Sequence, residues 1–115
     1  MTQLVVTRLA HQTLLMLTRY MTEFLGAEQA LSLAEQLLGY CKERLDLGQM
    51  GPGPLQFPLC YELERLGVTD YRQITVDKYK ILYRYDADKD TAFVMAFLRQ
   101  KQSAQQLLIA YSLLP

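Results

Sequence analysis

The chain has one histidine, two cysteines and no tryptophan, and its 12 lysines and arginines are matched by 12 aspartates and glutamates. Each shortage removes a class of chemistry. With His11 alone, a metal cluster or a histidine-based nucleophile triad has little to draw on, and its position beside the apolar stripe of a predicted helix reads as surface. Cys41 and Cys60 lack a CxxC spacing and read as ordinary reduced residues. A formal charge of zero argues against a protein that holds nucleic acid mainly by neutralising phosphates. Apolar runs such as Ala92 to Leu98 are too short to cross a bilayer, and the first residues lack the basic and apolar regions of a signal peptide. These absences predict a cytoplasmic chain with no metal, no cofactor and no membrane partner.

Two partial motifs fail on their own terms. Asp86, Asp88 and Asp90 copy the first half of a calcium loop, but Thr91 stands where the loop needs glycine and Phe97 where it needs a chelating glutamate, so the triplet reads as a turn. Gly51-Pro52-Gly53-Pro54 opens no helix and therefore cannot cradle a phosphate. No enzyme class is spelled out.

What is present fits one α+β domain over residues 1–115, half of whose residues are hydrophobic. The strongest signal is alternation from Asp70 to Leu98, which predicts a three-stranded antiparallel meander. A two-residue turn at Asp77-Lys78 pairs Val76 with Tyr79, Ile74 with Ile81 and Arg72 with Tyr83. A five-residue loop, Asp86 to Asp90, then aligns Thr91 with Tyr85, Phe93 with Tyr83, Met95 with Ile81 and Phe97 with Tyr79. On that register Ile74, Ile81, Tyr83, Phe93 and Met95 face the core. The opposite face bears Tyr71, Gln73, Thr75, Lys80 and Arg84 as a wet, shallow floor beside small residues, with Arg99 and Lys101 at the strand exit. The last strand is apolar on both sides and belongs inside the sheet.

Ahead of the meander, Gln3 to Val6 predicts a strand that joins the sheet, and Thr7 caps the helix after it. Ala10, Leu14, Leu17, Met21 and Phe24 mark that helix's buried stripe, Gly26 ends it, and Ala27 to Leu45 continue the period in a second helix. The hairpin, residues 8–46, is expected to cover the core face. Gly39 inside the second helix predicts close packing there. Gly48 to Pro58 is a Pro/Gly crossover, Leu59 to Leu66 a short helical turn stopped by Gly67, and Ala104 to Leu114 a short amphipathic helix. Charge is uneven: residues 1–70 hold 5 Lys/Arg against 8 Asp/Glu, and residues 71–115 hold 7 against 4. The sheet end is mildly basic.

This order of elements, with Glu62-Leu63-Glu64-Arg65-Leu66-Gly67-Val68, Tyr71-Arg72-Gln73-Ile74 and above all Tyr79-Lys80-Ile81-Leu82-Tyr83-Arg84-Tyr85, resembles the RelE/ParE toxins of bacterial toxin-antitoxin and plasmid-stabilisation systems. The resemblance implies a cognate antitoxin as partner, and it places Lys80 where ribosome-dependent members carry a strand arginine near the scissile phosphate. Gln73 stands near a second basic position and is neutral. Arg99 falls where many members have a histidine, and Lys101 where an arginine follows. No tyrosine or histidine lies between Arg99 and Gln106, so the acid/base group of the RNA-cleaving branch is missing. The departure favours the ParE-like branch, which poisons DNA gyrase, with Arg72, Gln73, Lys80, Arg84, Arg99 and Lys101 as target- or partner-binding residues. The alternative is a RelE-like messenger-RNA endonuclease on the ribosome using Lys80, Arg84 and Arg99, or a decayed toxin that binds only its antitoxin. A homodimer stays open.

Overall fold

A computed structural model describes residues 3–45 and 53–111. The elements are β1 (Gln3–Val6), α1 (Arg8–Leu25), α2 (Ala27–Leu45), α3 (Tyr61–Glu64), β2 (Arg72–Val76), β3 (Tyr79–Asp86), β4 (Thr91–Arg99) and α4 (Ala104–Ala110). The strands form one sheet in the order β1-β4-β3-β2, antiparallel except for β1, which runs parallel to β4. The architecture is the expected α+β arrangement, and β4 lies inside the sheet. The ends of the predicted hairpin and of the C-terminal helix, and residues 48–52 of the Pro/Gly crossover, fall outside the described residues.

Local chemistry sets most element ends. The Thr7 side chain accepts from the Ala10 amide at 3.2 Å and so caps α1. Gly26 stops that helix with φ at 83°. Gly67, also at 83°, donates to Glu64 O while Val68 donates to Leu63 O, the paired bonds that close a helical turn. Asp77 takes the left-handed conformation at φ 52°, and β2 and β3 pair Val76 with Tyr79, Ile74 with Ile81 and Arg72 with Tyr83, as the two-residue turn requires.

The second turn corrects the expected register. Asp86 pairs with Thr91, so the loop holds four residues and not five. Asp86 Oδ1 accepts from the amides of Asp88 and Lys89 at 3.0 and 3.2 Å, which ties the turn from its first residue. With one residue fewer, Tyr83 stands beside Val94 and Arg84 beside Phe93. Ala92 and Val94 therefore join the helix-covered core, while Phe93 and Met95 turn to the other face. A bulge between Leu82 and Tyr83 then makes Met95 an extra residue, and it returns Ala96 and Leu98 to the far face and Phe97 to the helix face.

The hairpin of α1 and α2 packs Ala10, Leu14, Leu17, Leu37, Cys41 and Leu45 on Ile74, Ile81, Tyr83, Val94 and Phe97. Its apolar periodicity continues to the tip, but Phe24, expected in the buried stripe, and Leu31 are exposed. Nothing lies within 4 Å of where a Cβ on Gly39 would stand, so no close packing explains that glycine.

The far face of the sheet is the larger correction. It is a second core, not a wet floor: Leu82, Met95, Ala96 and Leu98 pack with Cys60, Leu63 and Tyr71 and with Ala104, Leu107 and Leu108 of α4. Cys41 and Cys60 are free thiols buried in different cores. Burial pushes the Cys41 thiol up to about 12. No helix among the described residues is long and apolar enough to cross a membrane.

Candidate functional site at the strand exit

Burial of the far face decides what Lys80 can do. Its side chain is 9 % exposed, and its Nζ donates to Gln100 O at 3.1 Å and lies 4.0 Å from Glu62 Oε1. Glu62 is itself committed: its carboxylate accepts from Ser103 Oγ at 2.5 Å, from the Ala104 amide at 2.9 Å and from the Gln105 amide at 3.1 Å. It thereby ties α3 to the start of α4. Partial burial by itself raises the Glu62 pKa, but these hydrogen bonds and the Lys80 charge outweigh it and hold the carboxyl below its usual value.

The remaining basic positions separate. Arg72 turns to the helix face, where Nη1 donates to Phe57 O at 2.6 Å. That carbonyl belongs to the loop whose Pro54 O accepts from the buried Tyr83 hydroxyl. Gln73 is half-buried on β2, with its amide group bonded to Thr75 Oγ1 at 3.1 Å and its backbone N–H given to Pro58 O. Arg84 pairs with Asp70 at 2.9 Å and lies 5.5 Å from the Tyr71 ring centroid, with half of its side chain in solvent. It sits four residues along β3 from Lys80, where the paired residue is Phe93 and not a small one. Arg99 is opposite Tyr79, so it projects to the helix face, away from Lys80. The structure thus does not bring Lys80, Arg84 and Arg99 to one surface.

At the exit of β4 it does assemble a different group. Arg99 lies over the Tyr20 ring at 4.1 Å and donates to the Tyr20 hydroxyl at 3.4 Å, so its guanidinium rests against that ring. An open depression of about 440 Å³ beside it is lined by Met21, Asp77, Lys78, Tyr79, Arg99 and Lys101, among others. Gln100 locks the two turns that carry these residues: its amide donates to Lys78 O at 2.8 Å and its side chain donates to Asp77 O. Burial raises the Tyr79 hydroxyl pKa and the Asp77 carboxylate adds to it, so that ring stays neutral. Among the described residues, none of Lys78, Arg99 and Lys101 forms an ion pair.

Tyr20, Met21, Lys78 and Tyr79 were not expected here, although a signal existed. Thr13, Tyr20 and Phe24 recur on one flank of α1, and the pairing of Tyr79 with Arg99 follows once the second turn is counted as four residues and the bulge as one.

No model of a known protein family matches the sequence, and no curated protein does. Solved structures do. The chain is similar to a structure of the chromosomal ParDE toxin-antitoxin system from P. aeruginosa, with 18 % identity over 86 % of this chain and 96 % of that one and a TM-score of 0.63. It is also similar to the toxin-antitoxin complex RelBE2 from Mycobacterium tuberculosis, with 16 % identity over 88 % and 93 % of the two chains and a TM-score of 0.51. At these identities the likeness is one of fold, and the fold is that of the RelE/ParE toxins.

Proposed function

We propose that the chain is the toxin of a bacterial toxin-antitoxin pair, held inactive by a cognate antitoxin and acting on DNA gyrase in the manner of the ParE-like branch. The observation that supports the choice of branch is the burial of Lys80 between Glu62 of α3 and the Gln100 carbonyl. A ribonuclease of this fold needs that strand position open to a phosphate, with a proton carrier beside it and charge to stabilise the phosphorane. Here the ammonium is spent on Gln100 O and Glu62, and the Glu62 carboxylate is spent on Ser103 and two amides. Tyr111, the first tyrosine after the strand exit, directs its hydroxyl to Met16 Sδ on α1, at 3.3 Å. At the strand exit Arg99 and Lys101 form no ion pair among the described residues and offer a surface for recognition without bond cleavage.

The alternative, messenger-RNA cleavage on the ribosome by Lys80, Arg84 and Arg99, would require Lys80 to give up Gln100 O and Glu62 and three dispersed groups to converge. Both readings are tested together. Purified protein released from a coexpressed antitoxin is assayed for gyrase supercoiling, for cleaved DNA complexes and for ribosome-dependent cuts in message. We expect loss of supercoiling with intact message. Cuts in message with gyrase untouched would sink the ParE-like reading, and silence in both assays would leave a chain that binds only its antitoxin.

A further inference from the structure

We infer that the depression at the strand exit is a receptor for an acidic peptide segment of a partner protein, taking one side-chain carboxylate between Arg99 and Lys101 and a neighbouring apolar side chain on Met21. The inference rests on the reading that the strand exit is where this protein meets its partner, and it names the chemistry of what is met.

Three observations carry it. The rim holds three cations, Lys78, Arg99 and Lys101, against the single carboxylate of Asp77, and none of the three is in an ion pair among the described residues. Three such cations around one depression suit an anion. Next, Arg99 is oriented before any ligand arrives, because the Tyr20 ring lies 4.1 Å from its Cζ. A planar guanidinium fixed on one face presents its N–H edge in the fork geometry that a carboxylate fills with two bonds. Finally, the lining includes Met21, which suits the side chain beside the carboxylate, and the flexible thioether adapts to more than one shape.

A nucleic-acid strand fits these observations less well. Tyr79 is 7 % exposed and offers no ring on which a base could stack, and one face of Tyr20 is already taken by Arg99. Strand binding also depends on neutralising a row of phosphates, and the chain as a whole carries no net charge.

The test follows the backbone amides of the ¹⁵N-labelled full chain by NMR while acetyl-Leu-Glu-Leu-Asp-Leu-amide is added. Saturable shifts are expected at Met21, Lys78, Tyr79, Arg99 and Lys101, and they should weaken as salt rises from about 50 to about 300 mM. Lys101→Glu, at an exposed position that leaves the core intact, should raise the apparent Kd about tenfold or more, as should Arg99→Gln. Lys89→Gln, in the loop between β3 and β4, should leave it unchanged. The peptide with Gln and Asn in place of its acids should not bind. Absence of saturable shifts, an equal response to the uncharged peptide, or a stronger response of the same amides to oligothymidylate than to the acidic peptide would each overturn the inference. None of these readouts involves gyrase or growth, so a chain that binds the peptide and poisons nothing would remove the proposed function and leave the receptor standing.

Discussion

Thr13 on α1 and Phe97 on β4, 84 residues apart, are joined by a hydrogen bond of 3.0 Å in which the Phe97 amide donates to the threonine hydroxyl. The same hydroxyl donates to Ala10 O at 2.9 Å. β1 pairs only with residues 91–94 of β4, so beyond Val94 that edge of the strand needs other partners. Thr13 supplies one, and Gln102 accepts from the Arg99 amide at 3.4 Å. Side chains thereby finish an edge that a short strand leaves open.

Thr13→Val should therefore cost about 1–3 kcal/mol, because a buried N–H loses its only acceptor while the side-chain volume is kept. Thr13→Ser should recover most of it. Urea unfolding of the three proteins checks this, and equal midpoints for Val and Thr would mean that the bond contributes nothing net.

Glu62 predicts an acid-sensitive clasp. Its folded pKa lies below the usual 4.5, so its contribution to stability is fully present above that value and is lost as pH falls through the lower, folded one. Stability measured between about pH 6 and about pH 3 should drop in the native chain, and the Glu62 share of that drop should vanish in Glu62→Gln. At pH 7, Glu62→Ala should cost about 1–2 kcal/mol through the lost cap on α4. Amide exchange in residues 104–110 should rise with it.

Ile81 is fully buried beneath the helical hairpin. Its truncation, Ile81→Ala, should cost about 2–5 kcal/mol in transfer and cavity terms. Phe93→Ala should cost less, since Phe93 is only half-buried on the far face. A reversed ranking of the two melting temperatures would contradict the observed register.

The Cys41 thiol, buried and raised to about 12, should resist a disulfide reagent at pH 8 in the folded chain and react only on unfolding. Labelling rates with and without denaturant measure this directly. Fast labelling of the native protein at Cys41 would place the thiol outside the core.

Tyr20 orients Arg99 but is itself two-fifths exposed. Tyr20→Ala should thus change stability by no more than about 1 kcal/mol while weakening partner binding at the strand exit. Comparing the melting temperature with growth arrest on expression separates the two effects.

Sequence by itself determined whatever depends on near neighbours. Thr7 could be read as a cap because a hydroxyl reaches an amide three residues on, and Gly26 and Gly67 as stops because glycine, lacking a Cβ, takes a positive φ most readily. The register of β2 on β3 followed from a two-residue turn, and the place of β4 inside the sheet from its apolar character on both sides. Tertiary structure alone decided which face of β4 met which core. Ala92 to Leu98 carries no polar residue to mark an outside, so a shift of one residue costs nothing locally, and the four-residue turn and the bulge at Met95 are chosen by how side chains fill the two layers. The same holds for the candidate site. Arg99 and Lys101 were visible as charges, but only packing of α1 against β4 sets Tyr20 under Arg99, and only the approach of α3 and of the Gln100 segment takes Lys80 out of solvent. Burial is a property of layers meeting, and no single strand or helix encodes it in its own period.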